Sequence, residues 1–70
     1  MTLQLRINGE ARSFDDVETL SVRDLLERLN VDTRHVAVER NRELVPKRGF
    51  EEAVLKDGDE LEIVTLVGGG

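Results

Sequence analysis

Several residue types are absent from the sequence or rare in it, and these absences exclude whole classes of function. Its 70 residues include no cysteine, tryptophan or tyrosine, and only one histidine, one proline and two phenylalanines. Without cysteine, the chain cannot form a disulfide framework, a thiolate metal site or a cysteine nucleophile. The single histidine, His35, excludes a histidine-based metal cluster. Because nucleic-acid binding favours positive charge and aromatic stacking surfaces, a chain with two aromatic residues and a net charge of −5 does not fit that class.

Membrane segments and a second domain are also missing from the sequence. No apolar run approaches the ~20 residues that span a bilayer. The first ten residues, MTLQLRINGE, lack the basic and then apolar pattern of a signal peptide. Seventy residues suffice for one domain, near the lower size limit for an unaided hydrophobic core. We therefore expect a small cytoplasmic module that serves an enzyme and is not itself one.

The acidic side chains are concentrated near the end of the chain. Residues 1–50 hold nine acidic and nine basic side chains, whereas residues 51–70 hold six acidic side chains against Lys56 alone. The whole excess of −5 therefore lies in the last twenty residues. This segment is either a solvated surface or a patch that attracts a basic partner, since complementary charge mainly raises the rate of association.

Hydrophobic periodicity predicts five strands and one helix in the order β-β-α-β-β-β. Alternation favours strands over residues 2–8, 10–14, 35–40, 43–45 and 60–67. Ser21 and Asp24 form an approximate capping box, which predicts a helix of about ten residues that ends near Asn30. Between residues 47 and 56 we predict irregular structure, in which Phe50, Val54 and Leu55 fill the space beneath a loop.

This order of elements predicts an α+β fold. A single helix can cover one face of a small mixed sheet and leave the other face to solvent. If the first and last strands pair in parallel at the centre of the sheet, the arrangement is the β-grasp.

Few side chains are candidates for catalysis. His35 has no cysteine to activate, and the carboxylate pairs at 15–16 and 51–52 are typical of solvated loops. The glycines at 68–70 match no phosphate-binding loop, because no helix follows them. The sequence therefore gives no support for autonomous catalysis.

The unusual functional group is the α-carboxylate of Gly70. Gly68 and Gly69 have no Cβ, so they can pass through a narrow channel, and three glycines can carry the carboxylate about 10 Å from the folded body. ATP can activate a carboxylate as an acyl adenylate, from which a sulfur nucleophile displaces AMP. The alternative is a frayed end without chemistry.

Alternation in the last strand predicts a docking surface beside this tail. With Leu61 and Ile63 facing inward, Val64 lies outward, and a β-bulge near Val64 would reverse this register. Outward apolar residues next to a reactive tail favour partner docking. Val67 either belongs to this surface or anchors the end of the strand. The outward residues of the predicted docking surface are Glu60, Glu62, Val64 and Leu66.

Four segments of the sequence together form a distinctive pattern: VAVERN at 36–41, LVP at 44–46, DGD at 57–59 and IVTLVGGG at 63–70. With these segments the sequence resembles the ThiS family, the sulfur carrier proteins of thiamine biosynthesis. The resemblance covers nearly the whole chain. It implies a ubiquitin-like β-grasp fold, with residues 1–67 as the carrier domain and residues 68–70 as a flexible, reactive glycine tail.

The resemblance also implies a reaction sequence at Gly70. A ubiquitin-activating-type adenylyltransferase (ThiF-like) uses MgATP to adenylate Gly70, and sulfur from a donor such as a cysteine desulfurase converts the adenylate to a thiocarboxylate. Thiazole synthase (ThiG-like) then takes the sulfur to build the thiazole of thiamine, while Gly68 and Gly69 thread the partners' active sites. The carrier itself binds no metal or cofactor.

Four other functions fit the same features. The molybdopterin synthase small subunit and carriers of other sulfur pathways share the fold, the tail and the thiocarboxylate chemistry. A protein modifier would instead form isopeptide bonds to lysines. An interaction module would have a tail without chemistry.

Overall fold

The computed structural model describes residues 2–66 of the chain. The predictions made for Val67, Gly68, Gly69 and Gly70 therefore lie outside the described residues. The strands and the helix, in chain order, are β1 (Leu3–Ile7), β2 (Glu10–Phe14), α1 (Val22–Arg28), β3 (Val36–Arg40), β4 (Glu43–Val45) and β5 (Glu60–Thr65). Short 3₁₀ turns at Thr33–His35 and Lys47–Gly49 precede and follow the β3–β4 hairpin.

The helix begins at the predicted capping box. The Asp24 backbone N–H donates to Ser21 Oγ at 3.0 Å, and the Ser21 N–H donates to Asp24 Oδ2 at 3.1 Å. The helix has seven residues, not about ten. It ends early because Asn30 adopts a left-handed φ of 58°, and Val31 N–H then bonds back to the Leu26 carbonyl at 2.9 Å, which closes a Schellman motif.

The sheet order is β2-β1-β5-β3-β4. β1 and β5 are parallel neighbours at its centre, and the other pairs are antiparallel. This confirms the predicted β-grasp arrangement. At the first hairpin, Asn8 and Gly9 have φ values of 51° and 83°, which is the left-handed pair that a tight turn of this kind requires.

The core lies between α1 and one face of the sheet. Along β1, every second side chain is buried, and Val22, Leu25 and Leu26 of α1 are fully enclosed. Within residues 2–66, no helix is both long and apolar enough to cross a membrane. The buried apolar residues are Leu3, Leu5, Ile7, Val17, Leu20, Val22, Leu25, Leu26, Val36, Val38, Phe50, Leu55 and Leu61.

The structure differs from three local predictions, which concern Val54, His35 and the end of the last strand. Val54 does not fill the core beneath the loop, because its backbone forms a bridge with Ser21 and its side chain is exposed, while Phe50 and Leu55 are buried as predicted. His35 lies in the 3₁₀ turn before β3 and not in the strand. The last strand ends at Thr65, two residues before the predicted boundary.

Candidate functional site

The predicted outward register of β5 is confirmed. Leu61 is buried and Ile63 is half-buried, whereas Val64 is 53% exposed and Leu66 is 47% exposed. Pairing with β3 is regular from Leu61 to Thr65, so no bulge reverses the register in this segment. Two apolar side chains therefore face solvent at the end of the strand that leads into the glycine tail.

The sheet places three further residues on this surface. Ala37 and Glu39 of β3 lie opposite Val64 and Glu62 of β5, and Leu44 of β4 lies opposite Glu39. Leu44 is 68% exposed, more than any other large apolar residue among those described. We call this surface the open face; it consists of Ala37, Glu39, Leu44, Glu60, Glu62, Val64 and Leu66.

Sequence reasoning placed only the β5 part of the open face at the candidate site. Alternation within β3 does predict that Ala37 and Glu39 point away from Val36 and Val38. It does not reveal that β3 lies next to β5, which depends on the strand order. The signal that could have found Leu44 is its place next to Val45 in a short strand, since alternation puts the two side chains on opposite faces of the sheet.

Acidic side chains surround the apolar part of the open face. Glu39 and Glu62 lie directly opposite each other, a like-charge arrangement that costs stability. Within the described part of the chain, Glu39, Glu60 and Glu62 take part in none of the ion pairs. Arg6 and Arg42 lie beside Glu60 and Glu62 on one side of this surface, so the negative charge that a cationic partner can neutralise is centred on the pair of Glu39 and Glu62.

The beginning of β5 is fixed by a buried carboxylate. Asp59, which is 7% exposed, accepts hydrogen bonds from Arg40 Nε at 2.9 Å, Asn41 Nδ2 at 3.1 Å and the Lys56 N–H at 2.9 Å. These bonds join the turn before β5 to the β3–β4 hairpin. The beginning of β5, the strand that leads to the tail, is therefore held both by the turn before it and by the β3–β4 hairpin.

Two further contacts hold β5 toward its end. The Asn8 side chain accepts a hydrogen bond from the Ile63 N–H at 2.8 Å and donates to the Ile63 carbonyl at 3.1 Å, so it takes the place of a neighbouring strand where β1 has ended. Beyond the strand, the Leu66 N–H donates to the His35 carbonyl at 2.8 Å. The backbone is thus positioned up to the residue that precedes Val67.

The remaining titratable groups near this end do not form a catalytic arrangement. His35 Nδ1 lies 3.5 Å from Asp32 Oδ2, and both side chains are exposed. Arg34 donates side-chain and backbone hydrogen bonds to Asp32 and so lowers the pKa of its carboxyl. Among residues 2–66, no group of three histidine or carboxylate side chains could hold a metal ion. Gly70, which the sequence predicts to be the reactive residue, and the tail glycines Gly68 and Gly69 lie outside the described part.

Comparison with known proteins agrees with this geometry. Residues 5–70 match the model of the ThiS family. The chain is 38% identical to the sulfur carrier protein ThiS of Bacillus subtilis, over 94% of this chain and 98% of that protein. It is also 50% identical to a thiazole synthase of Paramagnetospirillum magneticum over 97% of this chain, which spans only 20% of that longer protein.

A solved structure extends the similarity to three dimensions. The crystal structure of a thiamine biosynthesis protein (ThiS) from Geobacter metallireducens superposes with a TM-score of 0.85 at 36% identity. The match covers 97% of this chain and all of the other. The strand order, the family match and this superposition lead to one conclusion: the chain belongs to the ThiS family.

Proposed function

We propose that this protein carries sulfur for thiamine biosynthesis as a thiocarboxylate on Gly70. The observation that carries the proposal is that the ThiS family match extends through residue 70, so that it includes the three glycines that follow β5. The similarity to the Bacillus subtilis sulfur carrier supports the same function. Residues 1–67 would form the carrier domain and residues 68–70 the reactive tail.

The chemistry takes place on the carboxylate, with reagents that partner enzymes supply. A carboxylate oxygen of Gly70 attacks the α-phosphorus of ATP, held as MgATP by a ThiF-like adenylyltransferase, and pyrophosphate leaves. The terminal sulfur of a persulfide, formed by a donor such as a cysteine desulfurase, attacks the acyl carbon and AMP leaves. A thiol then cleaves the S–S bond of the acyl disulfide, forms a disulfide itself and releases the thiocarboxylate.

The described residues support the role of a carrier. Apart from the Gly70 carboxylate, the chemistry needs no base or nucleophile from this chain, because the partners supply the activation. The chain must offer a binding surface and, next to it, a slender tail. Glycines at 68 and 69 make the tail slender because they add no side-chain bulk. The open face offers the surface, with exposed Val64 and Leu66 as apolar contacts and Glu60 and Glu62 as charged ones.

Thiazole synthase is the proposed recipient of the sulfur. Two proteins with that name, from Paramagnetospirillum magneticum and Magnetococcus marinus, contain a region that is 50% and 34% identical to this chain. In each, the region amounts to 20% of the protein. A carrier-like region within the same polypeptide as the synthase supports a functional association between the two.

Intact-mass spectrometry tests the carboxylate chemistry. We expect the protein to gain about 16 Da when it is incubated with its adenylyltransferase, MgATP and a sulfur donor, because one sulfur replaces one oxygen at the terminus. The same mixture without ATP is the control. A variant that lacks Gly70 should keep the fold by circular dichroism and gain no mass.

Two results would contradict the proposal. Full conversion of the variant that lacks Gly70 would place the modification elsewhere on the chain. A product whose mass equals that of the carrier plus a target protein would show a protein modifier and not a sulfur carrier.

A further inference from the structure

A cleft of basic character lies between α1 and the two 3₁₀ turns. Its volume is about 550 Å³, and Arg23, Arg34, Lys47 and Arg48 line it together with one acidic residue, Glu51. We call these four cationic residues and the space between them the basic cleft. In a chain of net charge −5, four cations around one cleft against one lining carboxylate form a distinct local surface.

Two of the four cations are already neutralised within the molecule. Arg23 contacts Glu51 and lies 3.4 Å from Glu27, and these carboxylates raise its pKa. Arg34 lies 3.0 Å from Asp32, which raises the pKa of Arg34 in the same way. Their charges are therefore offset by neighbours on the same surface.

Lys47 and Arg48 provide the uncompensated charge. Lys47 Nζ donates a hydrogen bond to the Arg34 carbonyl, which is a neutral acceptor. Within residues 2–66, neither Lys47 nor Arg48 forms an ion pair with a carboxylate. Both side chains belong to exposed residues, so their charges are available to a partner at the rim of the cleft.

The basic cleft lies at the end of the sheet from which the tail leaves. The Leu66 N–H is bonded to the carbonyl of His35, the residue after Arg34. Lys47 reaches the same place because β4 runs antiparallel to β3 and brings the chain back toward the start of β3. An enzyme that takes in the residues after Leu66 therefore approaches the basic cleft as well as the open face.

We propose that the basic cleft docks an acidic surface at the entrance of an enzyme that receives the glycine tail. This inference rests on the proposed function, because it assumes that the tail enters a partner. Charge complementarity indicates which kind of partner binds here. The carboxylates of an acidic protein surface complement the cations of the basic cleft, which are spread over an open surface. The carrier then presents opposite charges on two surfaces near Leu66, acidic on the open face and basic in the cleft.

Charge reversal at the two uncompensated positions tests the proposal. The double variant Lys47→Glu with Arg48→Glu is compared with a matched control, Arg12→Glu with Lys56→Glu. The control makes the same change in charge, on the edge strand β2 and in the turn before β5, away from the tail end. Circular dichroism establishes that both variants are folded.

The measurement is the association rate with the purified adenylyltransferase and with the purified thiazole synthase. At low ionic strength, we expect the cleft variant to associate about tenfold more slowly with at least one of them, and salt should narrow the difference. The control should stay within about twofold of the wild type. Wild-type rates for the cleft variant with both enzymes would overturn the proposal.

A second assay separates a protein partner from nucleic acid. If the wild type binds a labelled single-stranded oligonucleotide and the cleft variant does not, while both enzyme rates stay unchanged, the docking proposal is wrong and the cleft is a nucleic-acid site. The mass gain of the wild-type protein is measured independently. A failure of the cleft inference is thereby distinguished from a failure of the sulfur carrier function.

Discussion

Replacing Asp59 with alanine removes the carboxylate that fixes the base of β5. Asp59 accepts three hydrogen bonds, one of them from Arg40, whose side chain is 24% exposed. Breaking a fully buried ion pair costs about 3–5 kcal/mol, and the partial exposure of Arg40 lowers this to roughly 2–3 kcal/mol. A domain of this size has a free energy of unfolding of about 4–10 kcal/mol, so the loss is a large fraction.

Thermal unfolding followed by far-ultraviolet circular dichroism measures this loss. The chain contains no tryptophan or tyrosine, so intrinsic fluorescence is not useful. At about 4–8 °C per kcal/mol for a small domain, we expect a decrease in Tm of about 8–24 °C. Asp57→Ala is the matched control in the same turn, because Asp57 is exposed and accepts one bond, from the Gln4 N–H. If the two variants melt within about 3 °C of each other, the reasoning about Asp59 is refuted.

Three further predictions address docking, helix capping and titration. Reversal of Glu60 and Glu62 to lysine should slow association with the adenylyltransferase in stopped-flow measurements at low salt, and equal rates would show that the patch is only solvated. Ser21→Ala should lower the free energy of unfolding by about 1 kcal/mol in urea titrations, since it removes the helix cap. By NMR, Asp32 should titrate below its ordinary pKa of 3.8, and Arg34→Ala should move the midpoint back toward that value. Because the folded-state pKa is lowered, any stability from this pair is present above the ordinary pKa and is lost as the pH falls through the folded value.

Features set by neighbouring residues were predictable from the sequence. The capping box at Ser21 and the alternation along β5 each depend on a few adjacent positions, and the structure confirms both. The length of the helix was predicted less well. Asn30 was expected to end the helix, and its left-handed conformation does so, but the regular helix stops at Arg28 with Leu29 as its C-cap.

Features that depend on tertiary contacts were not predictable in the same way. Leu44 joins the open face because β4 pairs with β3, which in turn pairs with β5. In the sequence, Asp59 resembles an ordinary residue of a turn. It is nevertheless buried, because the side chains of Arg40 and Asn41 donate hydrogen bonds to it. Propensity and periodicity carry no information about such distant pairs.

The basic cleft could not be located by summing charges along the sequence. Residues 1–50 sum to zero charge, which suggests a featureless surface. The fold nevertheless brings Arg34, Lys47 and Arg48 together beside the strand that leads to the tail, while the acidic residues of β5 lie on the open face. The order of charges in the sequence thus located the acidic surface but not the basic one.

Transfer of labelled sulfur tests the central claim most directly. The carrier is charged with a heavy sulfur isotope at Gly70, purified, and incubated with thiazole synthase and its other substrates. The account predicts that the thiazole product contains the heavy isotope and that the carrier returns to its unmodified mass. A thiazole product without the label, or a carrier that keeps its labelled sulfur, would contradict the account.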